Sequence, residues 1–99
     1  MKTSDFMNAN LNAIKKLIKE QMSDKFDSHI FIRALAKKYE YQYVLLLRNY
    51  RKDAHRNVHA QIARHLSKNK DYFEIEKHGK VRSATVFGFN NSNELWSKK

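Results

Sequence analysis

The sequence predicts a mainly helical domain closed by a C-terminal β-hairpin, an α+β fold in one unit. Three observations carry this. Apolar residues recur at spacings of three and four through the first two thirds of the chain. There is no proline and there are only two glycines, Gly79 and Gly88, so few positions force a helix to stop. Beyond Asn69 the period shortens, and aromatic and β-branched residues gather in two runs on either side of His78-Gly79.

The first helix is expected from about Asp5 to Met22. Met7, Leu11, Ile14, Ile18 and Met22 form its stripe, which Leu17 widens, while Lys15, Lys16, Lys19 and Glu20 lie outside it. Such a stripe packs on its own domain or serves as the seam of a homodimer. Its mixed faces suit a membrane surface poorly.

The second helix has a clear start. Asp27 is placed to cap a helix beginning at Ser28, with Phe26 and Phe31 at the two positions of a hydrophobic staple. Phe31, Ala34 and Leu35 then face inward and Arg33, Lys37 and Lys38 outward. An unbroken stripe would bury Lys38 and Gln42, whereas the apolar pattern restarts at Tyr43, Leu46, Leu47 and Tyr50. A turn or kink is therefore expected near residues 39–41, with the third helix ending near Lys52. Asp53 is the expected N-cap of the fourth helix, Ala54 to about Lys68. Val58, Ile62, Ala63 and Leu66 form its inner face, and Asn69 is a left-handed terminator.

The runs 72–76 and 81–87 are the expected hairpin strands. A three-residue loop Lys77-His78-Gly79 would set Glu76 against Lys80, Ile75 against Val81 and Glu74 against Arg82, opposing unlike charges and joining two β-branched side chains. The tail from Asn90 reads as a loop before a short turn, with Leu95 and Trp96 packing back on the core.

Ninety-nine residues make one domain, since two halves would each be too small to bury a core. Hydrophobic residues at 41% supply that core, which argues against disorder. The chain has no cysteine, so disulfides and thiolate metal sites are excluded. No apolar run approaches the length of a bilayer span or an export signal. A cytoplasmic protein is expected.

Charge is the main functional signal. Twenty Lys and Arg against ten Asp and Glu give a net charge of +10. The excess is uneven: four basic residues against three acidic in 1–24, seven against three in 25–53, and nine against four in 54–99. A surplus of one sign beyond what solubility needs points to a polyanion, most often nucleic acid.

Three or four helices followed by a hairpin within one hundred basic residues resembles a winged-helix DNA-binding domain. The resemblance covers roughly residues 28–89 and lies in element order and charge. It implies that helix 54–68 enters the major groove as in a helix-turn-helix protein, with the hairpin as a wing. The side chains of that helix suit the role independently. Arg56 and Arg64 can bond guanine bidentately, Asn57 and Gln61 can read adenine, and Lys68 can hold a phosphate. On the hairpin, Lys70, Lys77, His78 and Lys80 are the expected phosphate contacts, whereas Glu74 and Glu76 would repel phosphate unless Lys80 and Arg82 neutralise them.

Other chemistry finds little support. His55 and His59 are spaced as two zinc ligands on one helix face, but Arg56 stands where a zincin motif needs its general-base Glu, and no third ligand is marked. No metal and no cofactor is expected. Phosphate-binding glycine loops and activated nucleophiles are lacking, and Tyr39, Tyr41 and Tyr43 read as packing residues at the junction of the second and third helices. The expected function is a non-enzymatic DNA-binding domain, such as a small transcription regulator. The alternatives are RNA binding, and a protein-interaction module docking on an acidic or nucleoprotein partner, as an accessory protein of a mobile element or phage would.

Overall fold

The computed structural model describes residues 1–85, 87–88 and 90–99. Within them lie five helices, α1 (Thr3–Ala9), α2 (Leu11–Gln21), α3 (Ser28–Lys38), α4 (Glu40–Leu47) and α5 (Ala54–Lys68). Three antiparallel strands accompany them, β1 (Lys25–Asp27), β2 (Ile75–Ala84) and β3 (Asn90–Lys98), in the order β1-β3-β2. The α+β class and the C-terminal hairpin are as expected, although the hairpin turns elsewhere.

The expected first helix is two. The chain breaks at Asn10, whose Nδ2 donates to the Phe6 carbonyl at 2.8 Å. A short amide side chain that bonds the backbone in this way competes with the helical ladder. The break lets α1 pack on α5 while α2 packs on α3. Phe6 meets Tyr39 edge-on with ring centroids 5.1 Å apart. Ile14, Leu17 and Ile18 are almost fully buried, so the stripe is filled by the domain's own core.

Asp27 caps α3 as expected, its Oδ1 accepting from the Ile30 amide at 2.9 Å, and Phe26 and Phe31 are both buried. The phase shift after Lys38 is a break at Tyr39 alone. α4 stops at Leu47 rather than near Lys52. There the Asn49 and Tyr50 amides bond carbonyls three residues back, tightening the last turn until the chain leaves the helix.

Asp53 precedes α5 but does not cap it with its side chain. It adopts a left-handed conformation (φ 52°), and its carbonyl accepts from the Asn57 amide at 3.0 Å and from Asn57 Nδ2 at 3.0 Å. α5 spans the expected residues and buries Val58, Ile62 and Leu66. Asn69 ends it without turning left-handed (φ −106°), its side chain instead donating to the His65 carbonyl at 3.0 Å.

The sheet departs furthest from expectation. Lys77-His78-Gly79 is not a hairpin loop but lies inside β2. Lys77 opposes Trp96 and Lys80 opposes Glu94, so one extra residue bulges out where Gly79 takes φ 96°. The pairings of Glu76 with Lys80 and Ile75 with Val81 are therefore replaced by Glu76 with Ser97 and Val81 with Asn93. The turn lies between Ala84 and Asn90. The tail, expected as a loop, is the central strand, pairing with β1 on one side and β2 on the other. A central tail satisfies two rows of backbone groups, and Trp96 packs on the core as expected, at 1% exposure. Residues 71–74 form a turn instead of a strand, with Glu74 left-handed (φ 57°).

One core joins helices and sheet: Phe26, Phe31, Phe73 and Trp96 pack with Ile14, Leu35, Ile62 and their neighbours. Among the described residues no helix is long and apolar enough to cross a membrane.

Candidate functional site

α5 packs on α1, α3 and α4, and the sheet packs chiefly on α3. Between them opens a cleft of about 810 Å³. Arg56, Ala60, Ala63, Arg64 and Ser67 of α5 form one wall. Lys80 of β2 and residues 91–94 of β3 form the other, and His29 and Ile32 of α3 contribute to its lining.

The walls are held by polar bonds between elements far apart in sequence. The His29 amide donates to Asn93 Oδ1 at 2.9 Å, and Asn93 Nδ2 donates to the Val81 carbonyl and to Ser83 Oγ, each at 3.1 Å. His29 Nδ1 lies 3.0 Å from Ser83 Oγ. Trp96 Nε1 donates to Ser28 Oγ at 3.1 Å, and the Arg33 guanidinium to the Thr85 carbonyl at 3.2 Å. These bonds fasten the hairpin to the start of α3 and so set its angle to α5.

At one end of the cleft His55 and His59 flank the Tyr43 hydroxyl, which is 2.9 Å from His55 Nδ1 and 2.5 Å from His59 Nε2. A phenol has one proton, so Tyr43 donates to one ring and accepts from the other. Phe87 from the hairpin turn meets His55 edge-on at 4.3 Å. Burial, then the neighbouring His55 and His29, lowers His59 to about 4, and burial raises Tyr43 to about 12. Both groups are neutral at physiological pH. The pair with zinc-ligand spacing is thus engaged with a phenol, and among the described residues no group of three His, Asp or Glu is placed to hold a metal ion.

Arg56, Arg64 and Lys80 are exposed, and they line the same cleft together with Asp53 and Glu94. Asn57 is exposed, but its amide is tied to the Asp53 carbonyl. Gln61 is half-buried and donates to the Tyr50 hydroxyl, which separates it from the exposed Arg56 and Arg64. Lys68 is exposed and lies outside the cleft lining. Lys70 pairs with Asp71 at 3.8 Å and Lys77 with Glu94 at 3.7 Å. His78 is exposed at the β2 bulge rather than at a loop tip. Glu74 lies outside the strands, between Lys15 at 3.4 Å and Lys19 at 3.7 Å, and these neighbours hold its carboxyl below the usual range.

Against family models, curated proteins and solved structures, the chain shows no match. The site therefore stands on its geometry. Sequence reasoning missed His29, Ser83 and Asn93, which meet only because β3 is central. Tyr43 was expected in packing alone. Its spacing to His55 carries no signal, since the two lie on different helices.

Proposed function

We propose that this chain is a non-enzymatic DNA-binding domain of winged-helix type, with α5 as the major-groove helix and the β2–β3 hairpin as the wing. The observation that carries the reading is the placement of Arg56 and Arg64 on one wall of a single cleft with Lys80 on the other. Three cations on two rigidly joined elements match a duplex, which presents base edges and a phosphate row side by side. The element order, with a short strand before α3 and a sheet ordered β1-β3-β2, supports it further.

Arg56 and Arg64 are the base-reading candidates, and Lys80 with Lys68 supplies phosphate contacts. Asn57 contributes only if it leaves its intrahelical bond. The hairpin turn itself carries no charged residue between Ala84 and Asn90, so the wing would meet DNA through its strand lysines and through Phe87, which is 54% exposed. Net charge supplies the non-specific share of affinity.

The alternative of a protein-interaction module is favoured by one feature. Tyr41, 72% exposed, and Val44, 49% exposed, lie one turn apart on α4. One experiment separates the two readings: titration of duplex DNA, single-stranded DNA and RNA at two salt concentrations. Duplex binding that weakens steeply with salt and is reduced by Arg56→Ala is the expected result. Absence of binding at low salt, or binding indifferent to salt, removes the DNA reading.

A further inference from the structure

A second cleft, of about 480 Å³, also borders α5. Every residue lining it is polar and none is acidic. Two are cations, Lys2 and Arg64, and among the described residues neither forms a salt bridge. The hydroxyl residues Thr3 and Ser4 complete the wall beside Lys2.

The imidazole of His65 belongs to the same wall and is only 9% exposed. Its Nδ1 has no hydrogen-bond partner among the described residues. A buried polar atom is rarely left unpaired, because its desolvation is then uncompensated. Nδ1 itself is closed to solvent, so an acceptor in this cleft would relieve that cost only once a small rotation of the ring brought Nδ1 to it. With two unpaired cations beside it, the acceptor's charge would be negative. Burial, with Lys68 and Arg64 nearby, holds the ring neutral, in which state Nδ1–H is a hydrogen-bond donor in one tautomer.

We infer that this cleft is an anion site that takes a phosphate group, held by Lys2 and Arg64 with His65 Nδ1 as the buried donor. The phosphate can belong to a small phosphorylated molecule, for which the volume is ample, or to a nucleic-acid backbone. Arg64 also lines the larger cleft, so it stands between the two sites. If α5 reads DNA as proposed above, a free phosphate compound bound here draws Arg64 away from the duplex and weakens binding.

The test follows the His65 ring resonances by NMR in the intact chain at constant ionic strength. Inorganic phosphate, adenosine monophosphate and a short duplex are titrated separately, with chloride as the control. A saturable shift of His65 with phosphate or the mononucleotide, and a rise in the pH at which the ring titrates, is the expected result. Lys2→Ala and Arg64→Ala should each weaken that binding by about tenfold, the loss expected for one charge-assisted contact. Both residues are exposed at the surface, so the variants should fold. A His65 shift produced by the duplex alone, and lost in the same variants, assigns the site to backbone phosphate. His65 resonances indifferent to all three, or moved equally by chloride, overturn the inference. Because the phosphate and mononucleotide arms contain no DNA, they stand whether or not α5 is a DNA reader.

Discussion

Lowering the pH from 7.5 to 4 charges an imidazole in the unfolded chain that the fold keeps neutral. His59 titrates at about 4 in the folded protein, from an ordinary value of 6.5. Between those values the unfolded chain binds more protons, so stability is lost as the pH falls through 6.5 and the loss is complete near 4. At full value the shift amounts to about 3 kcal/mol. The ring keeps substantial solvent contact, and screening reduces this to on the order of 1–2 kcal/mol. His65, also lowered by burial, acts in the same direction. Glu74 acts later, because its depressed carboxyl withdraws stability only as the pH falls below the ordinary carboxylate range. Urea unfolding at half-unit steps between pH 7.5 and 4 measures the whole curve. Replacing His59 with Gln should remove about 1–2 kcal/mol of the difference between pH 7 and pH 4.5, whatever it does to stability at pH 7. If wild type and His59→Gln lose stability in parallel, the proton balance assigned to the Tyr43–His59 pair is wrong.

Other outcomes follow from single contacts. Asp27→Ala deletes the cap bond to the Ile30 amide and should cost about 1 kcal/mol in urea unfolding, with Asp27→Asn recovering most of it. Gly79→Ala places a side chain at φ 96°, where the added Cβ has open space but the backbone is strained. It should destabilise by about 1 kcal/mol or more in thermal melts. In DNA titrations, neutralising Lys80 should lower the slope of log affinity against log salt by about one and weaken all sequences alike. Arg56→Ala should in addition relax preference at one base pair, by roughly 1–3 kcal/mol in competition binding.

Several elements were legible because local chemistry specifies them. Asp27, Phe26 and Phe31 mark the start of α3, and the stripe Val58, Ile62, Leu66 sets the face of α5 to the residue. The exposed Arg56 and Arg64 followed from the same helical period. Gln61 did not, since the Tyr50 hydroxyl that captures it comes from the chain before α5.

The sheet shows where local reasoning ends. Gly79 signals a left-handed residue, and it is one, but the same conformation serves a turn or a bulge. Which of these forms depends on a partner about fifteen residues away in sequence. The segment Asn90-Asn91-Ser92-Asn93 has no strand preference of its own and becomes the first half of β3 because residues 81–84 of β2 pair with it, while β1 joins β3 only at residues 95–97.

Composition and helical period by themselves determined a basic α+β domain, its net charge of +10 and the buried face of its longest helix. Tertiary structure alone decided that Arg56 and Arg64 share a cleft with Lys80, that His55 and His59 both meet the Tyr43 hydroxyl, and that the buried His65 Nδ1 has no hydrogen-bond partner among the described residues. The division has a physical cause. A helix satisfies its backbone within itself and shows its faces in sequence, whereas strands and clefts are completed by groups that only the folded chain brings together.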